Sequence, residues 1–142
     1  MTMKILVAAD GSPYTKRMLA YLAAHDEWLG PKHQYTVVHS TPSIPPRAKA
    51  YFDSATLKSY SEGEFDKVFK PLRTFFSRHG MDVTFAGKTG PAAEVISTLA
   101  QNGKFDLLVM GSHGHGALAS LVMGSVATKV MATCATPILI VR

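Results

Sequence analysis

The sequence predicts an α/β fold: one doubly wound domain, spanning residues 1–142, in which helices cover both faces of a five-stranded parallel sheet. Two observations lead to this prediction. Short apolar runs typical of buried strands alternate along the chain with longer segments of helical periodicity, and that alternation builds parallel sheets. In addition, 142 residues with 46% hydrophobic content suit a single core that needs neither metal nor disulfide.

The first strand and the first helix are separated by a turn. An apolar run over residues 4–9 predicts a buried strand. Ser12 then suits the N-cap of a helix and Pro13 its first position, because proline fixes a helical φ and leaves no N–H unpaired there. Apolar residues at helical spacing predict that this helix continues until Gly30. The β-branched and aromatic residues 35–40 predict the second strand.

Prolines and glycines divide the middle of the chain. Three prolines within residues 41–50 predict a stiff loop without regular structure, placed over the site at the strand ends. Residues 52–79 carry apolar side chains at helical spacing and predict a long helix that Gly80 ends. Residues 81–86 alternate as a third strand, and Pro91 opens the next helix.

The last third of the chain predicts two further strands, over residues 105–110 and 136–141, with a helix between them. A sheet order of 3-2-1-4-5 would place the carboxyl ends of the first and fourth strands side by side, where open parallel sheets bind ligands. Asp10 and Gly111 would then face each other across one cleft. On local sequence alone, Asp10 equally suits an Asx-turn before the first helix.

The glycines that follow the fourth strand indicate an anion site. Gly111, Gly114 and the pair Gly124-Ser125 have the spacing G-x-x-G-(nine residues)-G-S. Backbone N–H groups converge on phosphate oxygens most easily at glycines, and the residues from Gly124 onward predict a helix whose N-terminus favours anions. On spacing alone, a plain turn with Ser125 as an ordinary N-cap is an equal alternative.

Other motifs give weaker signals. Residues 114–119 fit the dinucleotide pattern G-x-G-x-x-A, but no Asp or Glu follows Asp106 to bind a ribose, which argues against NAD. His113 and His115 have no clustered cysteine or carboxylate beside them, so we expect loop histidines that contact phosphate or solvent, and no metal site. We expect His39, on the second strand, to be packed and hydrogen-bonded.

Charge and cysteine content restrict the partners and the compartment. Lys and Arg exceed Asp and Glu by 15 to 10, but they form no dense basic run, so a solvated surface is favoured over nucleic-acid binding. The chain shows neither a signal peptide nor an apolar stretch of membrane-spanning length, and its one cysteine, Cys134, cannot form an internal disulfide. We therefore expect a soluble cytoplasmic protein with no membrane partner.

Four segments together resemble the universal stress proteins, and the resemblance extends over essentially the whole chain. The segments have the sequences ILVAADGS, DLLVMGSHG, GSV and TPILIV, at residues 5–12, 106–114, 124–126 and 136–141. The resemblance implies a parallel sheet in the order 3-2-1-4-5. The complete glycine pattern is similar to that of the ATP-binding branch of the family.

The resemblance also implies a role for each candidate site residue. Those expected to line the adenine and ribose side are Ala8, Ala9 and Asp10, with the backbone of Ser40 at the base. Those expected to contact the nucleoside are Met110 and Gly111. Those expected to hold the phosphates are Gly114, Gly124, Ser125 and Val126. The implied ligand is ATP, or ADP or AMP, together with Mg²⁺.

The function implied by the resemblance is that of a stress-response switch, in which a bound adenine nucleotide stabilises one arrangement of loops 41–50 and 111–124. No residue is assigned a catalytic role, because the sequence has no nucleophile elbow. Two alternatives stay open. One is a slow ATPase or self-phosphorylating protein that uses Ser125 or a loop hydroxyl, and the other is a non-specific polyanion binder.

The fifth strand predicts a protein partner. In the implied sheet order this strand is an edge, and its apolar segment Ile138–Val141 would expose unpaired backbone groups that invite another chain. We expect a homodimer through this edge, and the resemblance implies the same.

Overall fold

The computed structural model of the chain describes residues 1–115 and 122–142. The strands are β1 (Lys4–Ala8), β2 (Gln34–Thr41), β3 (Asp82–Thr89), β4 (Leu107–Gly111) and β5 (Ile138–Val141). The helices are α1 (Pro13–Ala24), α2 (Asp26–Leu29), α3 (Pro46–Lys49), α4 (Ser54–Arg78), α5 (Ala92–Asn102) and α6 (Ser125–Thr133). Strands and helices therefore alternate as the sequence predicts.

The strands form one parallel sheet in the order β3-β2-β1-β4-β5, which confirms the predicted fold class and strand order. β1 lies at the centre, where Ala8 pairs with Val38 of β2 on one side and with Met110 of β4 on the other. Because all five strands point the same way, their carboxyl ends meet at one edge of the sheet. That edge holds the candidate site.

Helices pack on both faces of the sheet. Alternation along β1 directs Ile5 and Val7 to one face and Leu6 to the other. The first face is covered by α1 and α4, whose core residues include Met18, Leu22, Phe69, Leu72 and Phe76. The second face is covered by α5 and α6, whose core residues include Ala93, Ile96, Ala100, Ala127 and Val130.

Two expectations about the first half of the chain are wrong in detail. The helix expected to continue until Gly30 ends at Ala24, and α2 follows as a separate short helix. Residues 41–50, expected to lack regular structure, begin with the last residue of β2 and contain α3. Pro46 is the first residue of α3, a position where proline fits a helix because its N–H would be unpaired in any case.

The third strand is longer than expected. Periodicity predicts residues 81–86, whereas β3 runs to Thr89 because all eight of its residues pair with β2. Gly87 packs against the ring of Phe65, where an added Cβ would lie 2.7 Å from the ring. The long helix α4 is continuous through Pro71. Within the described residues, no helix combines the length and the apolar character needed to cross a bilayer.

Candidate functional site

A cleft of about 470 Å³ opens at the carboxyl ends of β2, β1 and β4, within the size range of small-molecule sites. Its lining includes every residue that the sequence singles out as a candidate: Ala8, Ala9, Asp10, Ser40, Met110, Gly111, Gly114, Gly124, Ser125 and Val126. The fold thus brings together residues that are more than 100 positions apart. That they contact a ligand stays a prediction.

Asp10 forms the Asx-turn that its local sequence allows, and it also lies at the cleft. Its Oδ1 accepts hydrogen bonds from the backbone N–H of Ser12 at 2.9 Å and from Thr15 Oγ1 at 3.0 Å, which is an Asx-turn at the start of α1. Its Oδ2 has no hydrogen-bond partner in the described part of the chain. Asp10 also lines the cleft. One carboxylate oxygen therefore fixes the turn while the other can serve a ligand.

Ser12 is the N-cap of α1 and Pro13 is its first residue, as predicted. The serine side chain makes no capping bond, and its Oγ is buried without a partner among the described residues. The carboxylate of Asp10 bonds the Ser12 N–H instead. The start of α1 is therefore held by the residue that also lines the cleft.

The glycines of the cleft are explained by close approach, not by positive φ. None of Gly111, Gly114 and Gly124 has a positive φ. An added Cβ would lie 2.8 Å from Tyr14 Cβ at Gly111, 2.5 Å from Asp10 Oδ2 at Gly114 and 3.0 Å from the Ser112 carbonyl at Gly124. Glycine at these positions lets the loops after β1 and β4 pack against each other, and this packing gives the cleft its shape.

The N-terminus of α6 opens into the cleft. Gly124 is its N-cap and Ser125 its first residue, so the alternative of Ser125 as an ordinary N-cap is wrong. No described side chain caps this end, and the first bond within the helix runs from Thr128 N–H to the Gly124 carbonyl at 3.0 Å. The amides of Ser125, Val126 and Ala127 therefore have no acceptor among the described residues, and all three residues line the cleft.

The backbone of Ser40 lies on the β2 side of the cleft, whereas α6 begins beside the loop that follows β4. The Val38 carbonyl accepts a hydrogen bond from Ala9 N–H at 3.0 Å, on the β1 side of β2. Successive strand residues direct their backbone groups to opposite sides, so the N–H and C=O of Ser40 also face the β1 side, beyond the last β1–β2 pair. Its side chain is occupied elsewhere, since Oγ donates to the Gly90 carbonyl at 2.7 Å.

Three histidines lie at the cleft. His39 is packed and hydrogen-bonded as predicted: its Nδ1 donates to the Ala9 carbonyl at 2.8 Å, and its ring is edge-on to Phe65. His115 Nε2 donates to the Asp10 carbonyl at 2.8 Å, which joins the loops after β1 and β4. His113 Nδ1 lies 2.8 Å from Ser112 Oγ. Within the described residues, no group of three or more His, Cys, Asp or Glu side chains is arranged to hold a metal.

Sequence reasoning missed part of the lining. It favoured a packed, hydrogen-bonded role for His39, and it did not single out Thr15, Val38, Ala92, Ile96 or Ala127 for the cleft. Adjacency to Ser40 at the end of the second strand is the signal that could have identified His39. Val38 is a core residue of β2, and the other four are ordinary helix residues that only the packing of α1, α5 and α6 brings to the cleft.

Charge in the cleft comes from a single carboxylate. The described lining residues include Asp10 but no lysine or arginine. An anion bound there would therefore rely on backbone amides and on the dipole of α6 instead of on cationic side chains. Residues 116–121 lie outside the described residues. They include most of the G-x-G-x-x-A pattern at residues 114–119 and part of the 111–124 loop.

Known proteins similar to this chain belong to one family. Residues 1–142 match the model of the universal stress protein family. A universal stress protein from Thermus aquaticus is 32% identical over 139 residues, which covers 97% of each chain.

Solved structures share the fold. The hypothetical protein MJ0577, solved to assign a biochemical function, has a TM-score of 0.82 at 22% identity, covering 98% of this chain and 94% of its own. An Arabidopsis thaliana universal stress protein with AMP bound has a TM-score of 0.70 at 17% identity, covering 98% and 90%. One from Archaeoglobus fulgidus in complex with dAMP has a TM-score of 0.68 at 18% identity, covering 99% and 98%.

Proposed function

We propose, because this chain belongs to the universal stress protein family, that its cleft binds an adenine nucleotide, with ATP as the ligand that makes it a cytoplasmic stress-response switch. The observation that carries the proposal is the uncapped N-terminus of α6, which opens into the same cleft as the free backbone edge of Ser40. Phosphate and base would thus find complementary groups at opposite ends of one site.

The order of the strands suggests how the nucleotide lies. β2, β1 and β4 are neighbours in the sheet. Across the cleft in that order lie Ser40 at the end of β2, Asp10 after β1, and the loop with Gly114 after β4. A nucleotide likewise runs from base through ribose to phosphate. We therefore place the base at Ser40, the ribose at Asp10, and the phosphates at Gly114 and the first turn of α6.

Each part of the nucleotide meets a group of matching chemistry. The N–H and C=O of Ser40 complement the N1 acceptor and the 6-amino donor of adenine. Asp10 Oδ2 can accept a hydrogen bond from a ribose hydroxyl. The amides of Ser125, Val126 and Ala127 can donate to phosphate oxygens, where the dipole of α6 adds to the attraction.

Mg²⁺ fits this arrangement as the counter-ion of the nucleotide. It is usually bound by phosphate oxygens, one or two carboxylates and several waters, and because the free oxygen of Asp10, the one carboxylate among the described lining residues, is assigned to the ribose, phosphate oxygens and water would supply its ligands. The cation would neutralise phosphate charge that no described lysine or arginine of the cleft compensates.

Complexes of the Arabidopsis and Archaeoglobus relatives with AMP and dAMP support an adenine nucleotide as the ligand of this cleft.

A matched pair of variants tests the amides of α6 directly. Ser125→Pro removes one N–H at the first helical position, where proline is tolerated, and Gly124 already has the extended conformation that precedes proline (φ −73°, ψ 163°). Ser125→Ala keeps the N–H. We expect Ser125→Pro to weaken ATP binding about ten- to a hundredfold, since one hydrogen bond to a charged group contributes about 1.5–3 kcal/mol. Isothermal titration calorimetry with Mg-ATP measures the difference.

Two controls make the result decisive. Thermal melts without nucleotide should be unchanged in both variants, and NAD should give no heat of binding. Mass spectrometry of whatever denaturation releases from the purified protein identifies the resident nucleotide. If Ser125→Pro binds Mg-ATP as tightly as Ser125→Ala does, the phosphates do not lie on α6. Phosphate release or labelling that Ser125→Ala abolishes would instead support the slow ATPase or self-phosphorylating alternative.

The free edge of β5 supports a proposed homodimer. The carbonyl of Pro137 accepts a hydrogen bond from Leu108 N–H of β4, and that of Val141 from Ser112 N–H just after β4. Alternation therefore leaves the backbone groups of Ile138 and Ile140 facing away from the sheet. Within the described chain, β4 is the only strand that pairs with β5. Ile140→Pro removes one outward N–H from this edge and should give a monomer of 15.3 kDa in light scattering, whereas Ile140→Val stays dimeric. A monomeric wild type would refute the dimer.

A further inference from the structure

A second cavity lies beside the nucleotide cleft, between residues 41–52 and the first half of α4. We call it the α4 groove. Its volume is about 880 Å³, and the cleft and the groove share no described lining residue. Its apolar wall consists of Pro42, Ile44, Pro45, Phe52, Leu57 and Tyr60. The volume lies within the range of about 300–1,000 Å³ typical of ligand sites.

The first half of α4 leaves apolar surface uncovered at this groove. The buried residues of α4 are Phe69, Leu72 and Phe76, all in its second half. At the groove, by contrast, Phe52 is 53% exposed and Tyr60 is 61% exposed. Exposed aromatic side chains gathered around one cavity indicate a binding surface more than scattered exposed residues do.

The groove carries an uncompensated positive charge. Lys49 and Lys58 line it, and neither forms a salt bridge with a described residue. The one carboxylate among the described lining residues, Glu64, pairs with Lys67 at 3.1 Å. The neighbouring Asp53 caps α4, where its carboxylate accepts a hydrogen bond from Thr56 N–H at 2.7 Å, and it forms no salt bridge with a described residue. The groove thus combines an apolar wall with two lysines that are free to bind an anion.

We propose that the α4 groove binds a single-chain amphiphile with an anionic head, namely a free long-chain carboxylate. The apolar wall would bury the chain, and the ammonium groups of Lys49 and Lys58 would pair with the carboxylate. A fully apolar ligand would leave the lysines without a partner, and a small anion would leave the apolar wall exposed. The proposal does not depend on nucleotide binding.

Titration of the full chain with dodecanoate, below its micelle concentration and followed by calorimetry, tests the proposal. We expect one site per chain, and at least about tenfold weaker binding of dodecanol, which has the same chain without the charge. The double variant Lys49→Glu/Lys58→Glu should weaken dodecanoate at least tenfold. Its control, Lys16→Glu/Lys70→Glu, changes the net charge equally at exposed lysines outside the groove and should bind as the wild type does.

A second variant tests the apolar wall. Leu57→Asp should abolish dodecanoate binding, and because Leu57 is only half-buried, its thermal melt should stay close to that of the wild type. Mg-ATP should bind both groove variants as it binds the wild type. The proposal is overturned if dodecanol binds as tightly as dodecanoate, if charge reversal at the groove has no effect, if ATP displaces dodecanoate, or if the protein binds only to dodecanoate-containing vesicles.

Discussion

The cleft at the strand ends, where we propose that a nucleotide binds, and the α4 groove are neighbours in the fold that are built from different chemical groups. The cleft offers backbone amides, one carboxylate and no described lysine or arginine, whereas the groove offers exposed aromatic rings and two free lysines. Ser40 lines the cleft and Thr41, the next residue, lines the groove. At the end of β2, a site built mainly from backbone groups therefore lies next to a site built from apolar and cationic side chains.

The difference has a consequence for what each region tolerates. Backbone amides can converge only if the loops approach closely, so the cleft depends on glycines whose absent Cβ atoms would contact neighbouring atoms. The groove uses side chains on an exposed helix face, where substitutions disturb little else. We expect substitutions of the cleft glycines to affect folding and binding together, and substitutions in the groove to affect binding alone.

Gly114→Val should have the largest effect. A Cβ at residue 114 would lie 2.5 Å from Asp10 Oδ2, and that carboxylate cannot easily move because its other oxygen holds the turn at Ser12 and Thr15. We expect a loss of about 1–3 kcal/mol in the free energy of unfolding, typical of overpacking, together with loss of measurable ATP binding. Urea denaturation and calorimetry measure the two effects.

Gly63→Ala is the matched control, since Gly63 lies in the exposed half of α4 with open space where its Cβ would be. Alanine there should raise the free energy of unfolding by about 0.5–1 kcal/mol and leave ATP binding unchanged. A Gly114→Val protein as stable as the wild type would show that the cleft loops have room to adjust, and the contrast between the two regions would fail.

Tyr35→Phe should lower the free energy of unfolding by less than Gly114→Val does. Tyr35 lines neither the cleft nor the groove, so this variant shows the effect of losing a buried hydrogen bond elsewhere in the core. The buried Tyr35 hydroxyl donates hydrogen bonds to the carbonyls of Leu29 and Gly30, so its loss should cost about 1–2 kcal/mol without changing ATP binding. Burial raises the pKa of Tyr35 from 10.0 to about 12. The folded protein therefore holds the hydroxyl proton more tightly than the unfolded chain does. The resulting contribution of Tyr35 to the free energy of unfolding is complete below pH 10 and is lost as the pH rises to 12.

Urea denaturation across pH 9–12 checks this prediction. The wild type should lose stability between pH 10 and 12, and Tyr35→Phe should show a shallower decline over that interval. An equally steep decline in both proteins would mean that another group causes the alkaline loss.

Much of the fold could be predicted because it depends on short-range patterns. Strand and helix alternation, the cap at Ser12 and the stop at Gly80 are local signals, and the strand order agrees with the resemblance. The errors occur where a neighbouring element overrides local preference. Pairing with β2 extends β3 through Gly87 to Thr89, and Pro46 starts a helix where a proline-rich stretch predicts none.

The sequence by itself determined the fold class, because glycines, caps and apolar runs carry their meaning locally, and the glycine spacing together with the family resemblance singled out ten residues that line one cleft. Only the tertiary structure decided why the cleft glycines are needed, which oxygen of Asp10 is free, and that Phe52, Tyr60, Lys49 and Lys58 surround one groove. The physical reason is that contacts between distant segments depend on how helices pack against the sheet, and no spacing along the chain records that packing.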